Sequence, residues 1–301
     1  MKSYLDAALA GKNDWWRYLI GYPIILFAWQ LVGAIPVIAM AFVVMLDNDP
    51  QTNIVSTGFV GIDPLLNFSV NVFSFIPFIL AIIATVTLIH KRPLRTLITA
   101  GSKMDWKRFF ASFGVWFALA GLAAFLEAVL YPGRYTFTPR LAQLIPFALI
   151  GLLTIPIQTS SEEFFFRGYL LQNLGLKIKN PWVLCPLSGI LFMLPHLLNP
   201  EVAVDAILLP LYYFFFGAFA TWITLRSNGL ELTLGLHMGN NLLGLIFVNA
   251  TVTVMPTPSL FTVNELDAVY SLVSALAAMA VFYVVMFKVW PQKATPVTVE
   301  S

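Results

Sequence analysis

The chain has 301 residues, of which 59% are hydrophobic and 11% charged, with a net charge of +2 and a mean hydropathy of +0.82. A soluble domain carries roughly 25% charged residues, so this composition excludes an ordinary globular protein and implies an integral, multi-pass membrane protein. The single cysteine, Cys185, excludes internal disulfides and cysteine-rich metal sites.

In chain order, residues 1–17 are polar and partly amphipathic, with Trp15 and Trp16 at the end, which suits an interfacial segment leading into the first span. Apolar runs of about 20 residues then follow at Tyr18–Leu46, Asn67–Ile89, Phe109–Tyr131, Leu141–Thr159 continuing as helix to Leu174, Val183–Leu198, Ala203–Leu225, Leu230–Val252 and Asp267–Val289. The expectation is an all-α polytopic protein with about eight transmembrane helices. Residues 18–290 would form one membrane domain with a catalytic core at about 141–252, and 291–301 a flexible tail. All but two of the 17 basic residues, Arg134 and Arg140, then fall on one face. The positive-inside rule makes that face cytoplasmic, with both termini inside, as expected in a bacterial inner membrane. The basic loop from Lys91 to Arg108 reads as a topology determinant and lipid contact, not a nucleic-acid site. His90 reads as a solvated boundary residue, and Glu127 as a structural carboxylate near Tyr131.

Three polar clusters interrupt the apolar sequence: Ser160-Ser161-Glu162-Glu163-Phe-Phe-Phe-Arg167, Phe192-Met-Leu-Pro-His196 and His237-Met-Gly-Asn240-Asn241. Ionisable groups inside spans usually face the bundle interior and mark function. Counting helix rise from the basic face puts Glu162, His196, His237 and Asn241 at depths of about 18, 20, 14 and 20 Å, so three segments meet at a similar level. Glu163 and Arg167, four apart, can pair on one helix face, leaving Glu162 turned toward a polar cavity. Phe192 sits one turn before His196 and can pack beneath its ring. His237 and Asn241 also share a face, and Asn240 competes with Asn241 as an amide donor.

Two chemistries suit these groups. In one, Glu162 and His196 deprotonate water while His237 and Asn241 donate to an oxyanion. In the other, Glu162, His196 and His237 hold zinc with one position open for water. No His-Glu-x-x-His motif is present.

Glu162-Glu163-x-x-x-Arg167, Phe192-x-x-x-His196 and His237-x-x-x-Asn241, in that order, resemble the signature of the type II CAAX prenyl endopeptidase family, also called CPBP or Abi. The resemblance covers about 141–252. It implies an eight-helix intramembrane endopeptidase in which Glu162 and His196 activate water, His237 and Asn241 stabilise the oxyanion, and Glu163, Arg167 and Phe192 support them. The family has been described both as metallo- and as glutamate-type, so the cofactor, zinc or none, is left open. The expected partners are a peptide or protein substrate, cut in the cytoplasmic half of the bilayer, and the lipid itself. A transporter or bacteriocin-immunity type binding protein using the same cavity is the non-enzymatic alternative.

Overall fold

The structure is a computed structural model that describes residues 3–55 and 58–290; the tail expected at 291–301 lies outside the described residues. Eight principal helices follow in chain order: α1 (Trp15–Leu46), α2 (Pro64–Ile89), α3 (Trp106–Leu130), α4 (Leu141–Leu174), α5 (Pro181–His196), α6 (Leu208–Ser227), α7 (Glu231–Ile246) and α8 (Ala268–Val289). Their starts are written locally. Asp63 accepts from Leu66 N ahead of Pro64, Asp105 from Lys107 N and Arg108 N, Asn180 from Trp182 N ahead of Pro181, and Asp267 from Tyr270 N. Each occupies orphan amides of a first helical turn. Asn228, with φ 65°, ends α6 in the left-handed conformation.

Six of these helices are long and apolar enough to cross a membrane, which makes the chain a polytopic membrane protein. The other two, α5 and α7, have only 16 residues each, or about 24 Å of helix. They are the two that carry His196 and His237. The expectation that the seventh run continues as helix to Val252 is corrected. After Ile246 the chain enters a strand, because backbone amides of a later segment take the last helical carbonyls: Leu260 N donates to Ile246 O and Phe261 N to Phe247 O, at 3.0 and 2.8 Å.

Strands therefore occur in a chain read as wholly helical. Asn53–Val55 (β1) and Gly58–Val60 (β2) pair antiparallel. Tyr135–Phe137 (β3), Val248–Ala250 (β4) and Phe261–Val263 (β5) form a three-stranded sheet in the order β3-β5-β4, antiparallel on one side of β5 and parallel on the other. Their aromatic and β-branched residues suit a pleated ladder, and the sheet ties together the connections on the Arg134 side. There Glu127 accepts from Arg134 Nη1 and Tyr135 Oη, at 3.0 and 2.7 Å, so its hydroxyl partner is Tyr135 and not Tyr131.

Helix α3 packs along α7, and α5 along α6. The first contact depends on Gly235 and Gly239, where a Cβ would collide with Phe109 O and come within 3.0 Å of Phe113 O. The second depends on Gly189 and Gly217, whose Cβ atoms would lie 2.7 Å from Phe214 O and 2.9 Å from Phe192 Cβ. Helix axes this close set the depth of His237 and Phe192 against their neighbours. The main core draws on all eight helices and includes Phe78, Trp116, Phe165, Phe166, Leu236 and Phe282.

At the basic end, the 3-10 helix Tyr4–Ala10 docks on the bundle. Tyr4 N donates to Asn228 Oδ1 at 2.6 Å, Tyr4 Oη donates to Leu97 O, and Gln172 Nε2 donates to Tyr4 O at 3.2 Å. The reading of His90 as solvated is overturned, since the residue is 1% exposed. Its Nδ1 donates to Lys12 O at 2.8 Å, and its Nε2 lies 2.9 Å from Tyr169 Oη. The N-terminal segment folds back over it and covers what would otherwise be a wet helix end.

Candidate active site

Helix α4 is α-helical to Glu163 and then widens into a π-helix over Phe164–Leu170 before closing again at Leu171–Leu174. Such π segments are often found at functional sites. Glu163 and Arg167 straddle its start, with Arg167 Nη1 2.9 Å from Glu163 Oε1 and both side chains fully buried. The guanidinium also donates to Gly217 O at 3.3 Å and lies over the Phe192 ring at 4.2 Å. The ion pair therefore joins α4 to α5 and α6.

Adjacent Glu162 has different surroundings. Its Oε1 accepts from Gln158 Nε2 at 2.7 Å, while its Oε2 is buried without a hydrogen-bond partner. His237, from α7, lies between the two glutamates: Nδ1 donates to Glu163 Oε1 at 2.7 Å, and Nε2 is 3.6 Å from Glu162 Oε2. Because Glu163 fixes the proton on Nδ1, Nε2 is the nitrogen turned toward Glu162. Asn241, one turn on, donates from Nδ2 to Gln158 Oε1 at 2.8 Å. Its amide carries a second hydrogen for another acceptor. Asn240 donates to Asn241 Oδ1 at 3.1 Å and accepts from Trp116 Nε1 at 3.2 Å.

His196 is the last residue of α5. Its Nδ1 donates to Phe192 O at 2.7 Å, which fixes the tautomer and leaves Nε2 as an acceptor. The ring packs between Phe192, at 4.5 Å, and Tyr213, at 4.4 Å and 29°. Tyr213 Oη in turn donates to Glu201 Oε1 at 2.6 Å, and Glu201 Oε2 accepts from Val254 N at 3.0 Å.

These residues line one cavity of about 460 Å³, shared by Gln158, Glu162, His196, His237, Asn240 and Asn241. Three helices thus bring the three sequence clusters together. Glu163 and Arg167 are packed behind the cavity wall and are not among its lining residues. The lining also includes Asn199, Glu201, Asn249 and Thr253, all in connections on the Arg134 side of the bundle.

The stretch 141–243, from α4 into α7, matches the family model for type II CAAX prenyl endopeptidase Rce1-like proteins. Over 276 residues, 91% of this chain and 92% of the relative, the sequence is 31% identical to the uncharacterized protein YyaK of Bacillus subtilis (strain 168). The chain belongs to the Rce1-like family of type II CAAX prenyl endopeptidases. No solved structure matches it. Membership supports CAAX-type endopeptidase activity at a membrane as the general class of reaction.

A catalytic zinc needs three protein ligands converging on one point, with a fourth position open for water. The candidate ligands Glu162, His196 and His237 are not gathered into such a group. Nδ1 of each histidine is engaged, by Glu163 and by Phe192 O, which leaves Nε2 of both free. Among the described residues no group of three or more His, Cys, Asp or Glu could hold a metal ion. The metallopeptidase reading is unsupported.

Sequence reasoning missed Gln158, Tyr213 and Glu201. Gln158 carried a signal, being a polar residue one turn before Glu162 in apolar sequence. Tyr213 was hidden in an aromatic run, and Glu201 in a connection whose fold over the cavity has no local signature.

Proposed function

We propose that the chain is a glutamate-type intramembrane endopeptidase in which Glu162 and His196 activate water, and His237 and Asn241 stabilise the tetrahedral oxyanion. The observation that carries this reading is Glu162 Oε2, a buried carboxylate oxygen without a partner on a residue that lines the same cavity as His196, His237 and Asn241. A water held between Glu162 Oε2 and His196 Nε2 has both protons accepted, which raises its nucleophilicity. As its oxygen attacks the peptide carbonyl, one proton passes to Glu162. Glu162 then returns that proton to the departing amide nitrogen as the C–N bond breaks, giving an acid and an amine. Asn241 offers its second amide hydrogen to the oxyanion, and His237 offers Nε2 when that nitrogen is protonated.

Glu163 and Arg167 act behind this machinery, holding His237 by its Nδ1 and tying α4 to α6. Residues 18–290 work as one membrane domain with 141–252 as the catalytic core, in a bacterial inner membrane with both termini cytoplasmic. The partners are the bilayer and a peptide or protein substrate.

Purified protein in detergent, incubated with a quenched peptide library, should cleave at least one sequence with and without chelator. Glu162→Gln should fold and elute as the parent does yet cleave nothing. Cleavage retained in that variant would refute the mechanism.

A further inference from the structure

The cavity has a closed end and an open end, and the charge of the chain orients them. The closed end is formed by Glu162 and His237, 5% and 4% exposed. Fully buried Glu163, Arg167, Ile223, Leu232 and Leu236 lie on the elements beyond, toward the basic face. The other end is lined by Asn199 and Glu201, from the α5–α6 connection, and by Asn249, Thr253 and Val254, after α7; Val254 is 41% exposed there, so this end is the open one. Neither of these connections contains a lysine or arginine. At the other end of the bundle lie Lys12, Arg17, Lys91, Lys103, Lys107 and Lys179. A span's basic connections stay on the cytoplasmic side, so the rim lies on the opposite side.

We infer that the cavity opens to the face of the membrane away from the cytoplasm, and that the polypeptide it accepts is presented from there. The second half rests on the peptidase reading. The chemistry of the wall narrows the substrate. Two carboxylates, Glu162 and Glu201, line the cavity, and its lining includes no lysine or arginine. Two carboxylates and no cation on the wall favour a segment that is neutral or basic beside the scissile bond. This differs from cleavage in the cytoplasmic half of the bilayer, the geometry expected from helix counting alone. Depth measured from one face does not say which face is open.

The test uses a Cys185→Ala background and a membrane-impermeant maleimide on right-side-out and inverted vesicles. Single cysteines are placed inside the cavity (Ser74→Cys), at its rim (Thr253→Cys) and at the exposed basic end (Ser102→Cys). Ser74→Cys and Thr253→Cys should label in right-side-out vesicles, and Ser102→Cys only in inverted ones. Labelling of Ser74→Cys only in inverted vesicles, or from neither side, would overturn the inference. So would labelling of Thr253→Cys and Ser102→Cys from the same side. In sealed proteoliposomes, cleavage of externally added library peptides should track the fraction with Ser102 inside, and Glu in place of Lys beside the scissile bond should slow it at least tenfold. Cleavage that tracks the opposite fraction, or favours Glu, overturns the proposal. Absent cleavage with the labelling pattern intact counts against the peptidase reading alone and upholds the cavity's orientation.

Discussion

The bundle buries polar groups at the basic end of α4 and along its middle, and the two clusters differ in one respect that matters for function. At the basic end, His90, Tyr169, Tyr4, Gln172 and Arg92 are buried against one another and the backbone. In the middle, Glu162, His237, Gln158 and Asn241 form a comparable network against open space. Unpartnered atoms occur in both: Nε and Nη2 of Arg92 at the basic end, and Oε2 of Glu162 in the middle. An orphaned polar atom therefore does not mark a site by itself. An orphaned atom on a cavity wall, beside an imidazole nitrogen, has room for a reactant.

The most direct way to break this comparison is Glu162→Gln. The change is isosteric and removes the base, so cleavage should fall by at least about 10³-fold while the unfolding midpoint stays close to that of the parent. The same conservative change in the closed cluster, His90→Gln, should leave cleavage within a few-fold. If both variants lose cleavage equally, the cavity is not what distinguishes the clusters.

Arg167 tests the layer behind the cavity. Arg167→Leu leaves Glu163 buried with His237 as its remaining partner, which should cost about 3–5 kcal/mol of stability, read as a lower midpoint and poorer yield in detergent. Adding Glu163→Gln removes the stranded charge and should recover part of the stability without recovering cleavage, because His237 loses the carboxylate that orients it. Full recovery of cleavage in the double variant would show that Glu163 does not position His237.

Much of this site is legible in the sequence where a single helix dictates the outcome. The Glu163–Arg167 pair, the turn away of Glu162 and the common face of His237 and Asn241 follow from four-residue spacing, and the geometry agrees. Contacts between helices are not legible in that way. The bond from His237 to Glu163 spans 74 positions and depends on how closely Gly235 and Gly239 let α7 approach α3. Burial of His90 depends on an N-terminal segment that folds back, and hydropathy near a helix end cannot distinguish covering protein from headgroups. The sheet was missed because its strands are three residues long and gain stability only from each other.

His90 offers a smaller, pH-dependent test of the closed cluster. Burial pushes its imidazole below the usual 6.5, so the unfolded chain binds the proton more readily than the folded one. The contribution to stability is complete above about pH 6.5 and is lost as pH falls below it, with a slope of at most about 1.4 kcal/mol per pH unit. The drop in unfolding midpoint between pH 7 and pH 5 should be shallower in His90→Gln than in the parent. Parallel curves would mean that the imidazole is not held neutral by its cover.

The smallest effect belongs to the outer edge of that cover. Lys179 Nζ lies 2.8 Å from Asp6 Oδ1, with the lysine 55% exposed, and this bond together with Ser3 N holds the Asp6 carboxyl at about 2, below the usual 3.8. A depressed carboxyl stabilises the fold above about pH 3.8 and loses that contribution as pH falls toward 2. Solvent screening keeps such an exposed pair below about 1 kcal/mol. Lys179→Met should therefore barely move the unfolding midpoint at pH 7, and high salt should erase what difference there is. Docking of Tyr4–Ala10 should persist in that variant, since Tyr4 and Gln172 hold it from the buried side. Rapid amide exchange of Tyr4 N after so small a change would mean that the surface pair, and not the buried tyrosine, keeps the basic end closed.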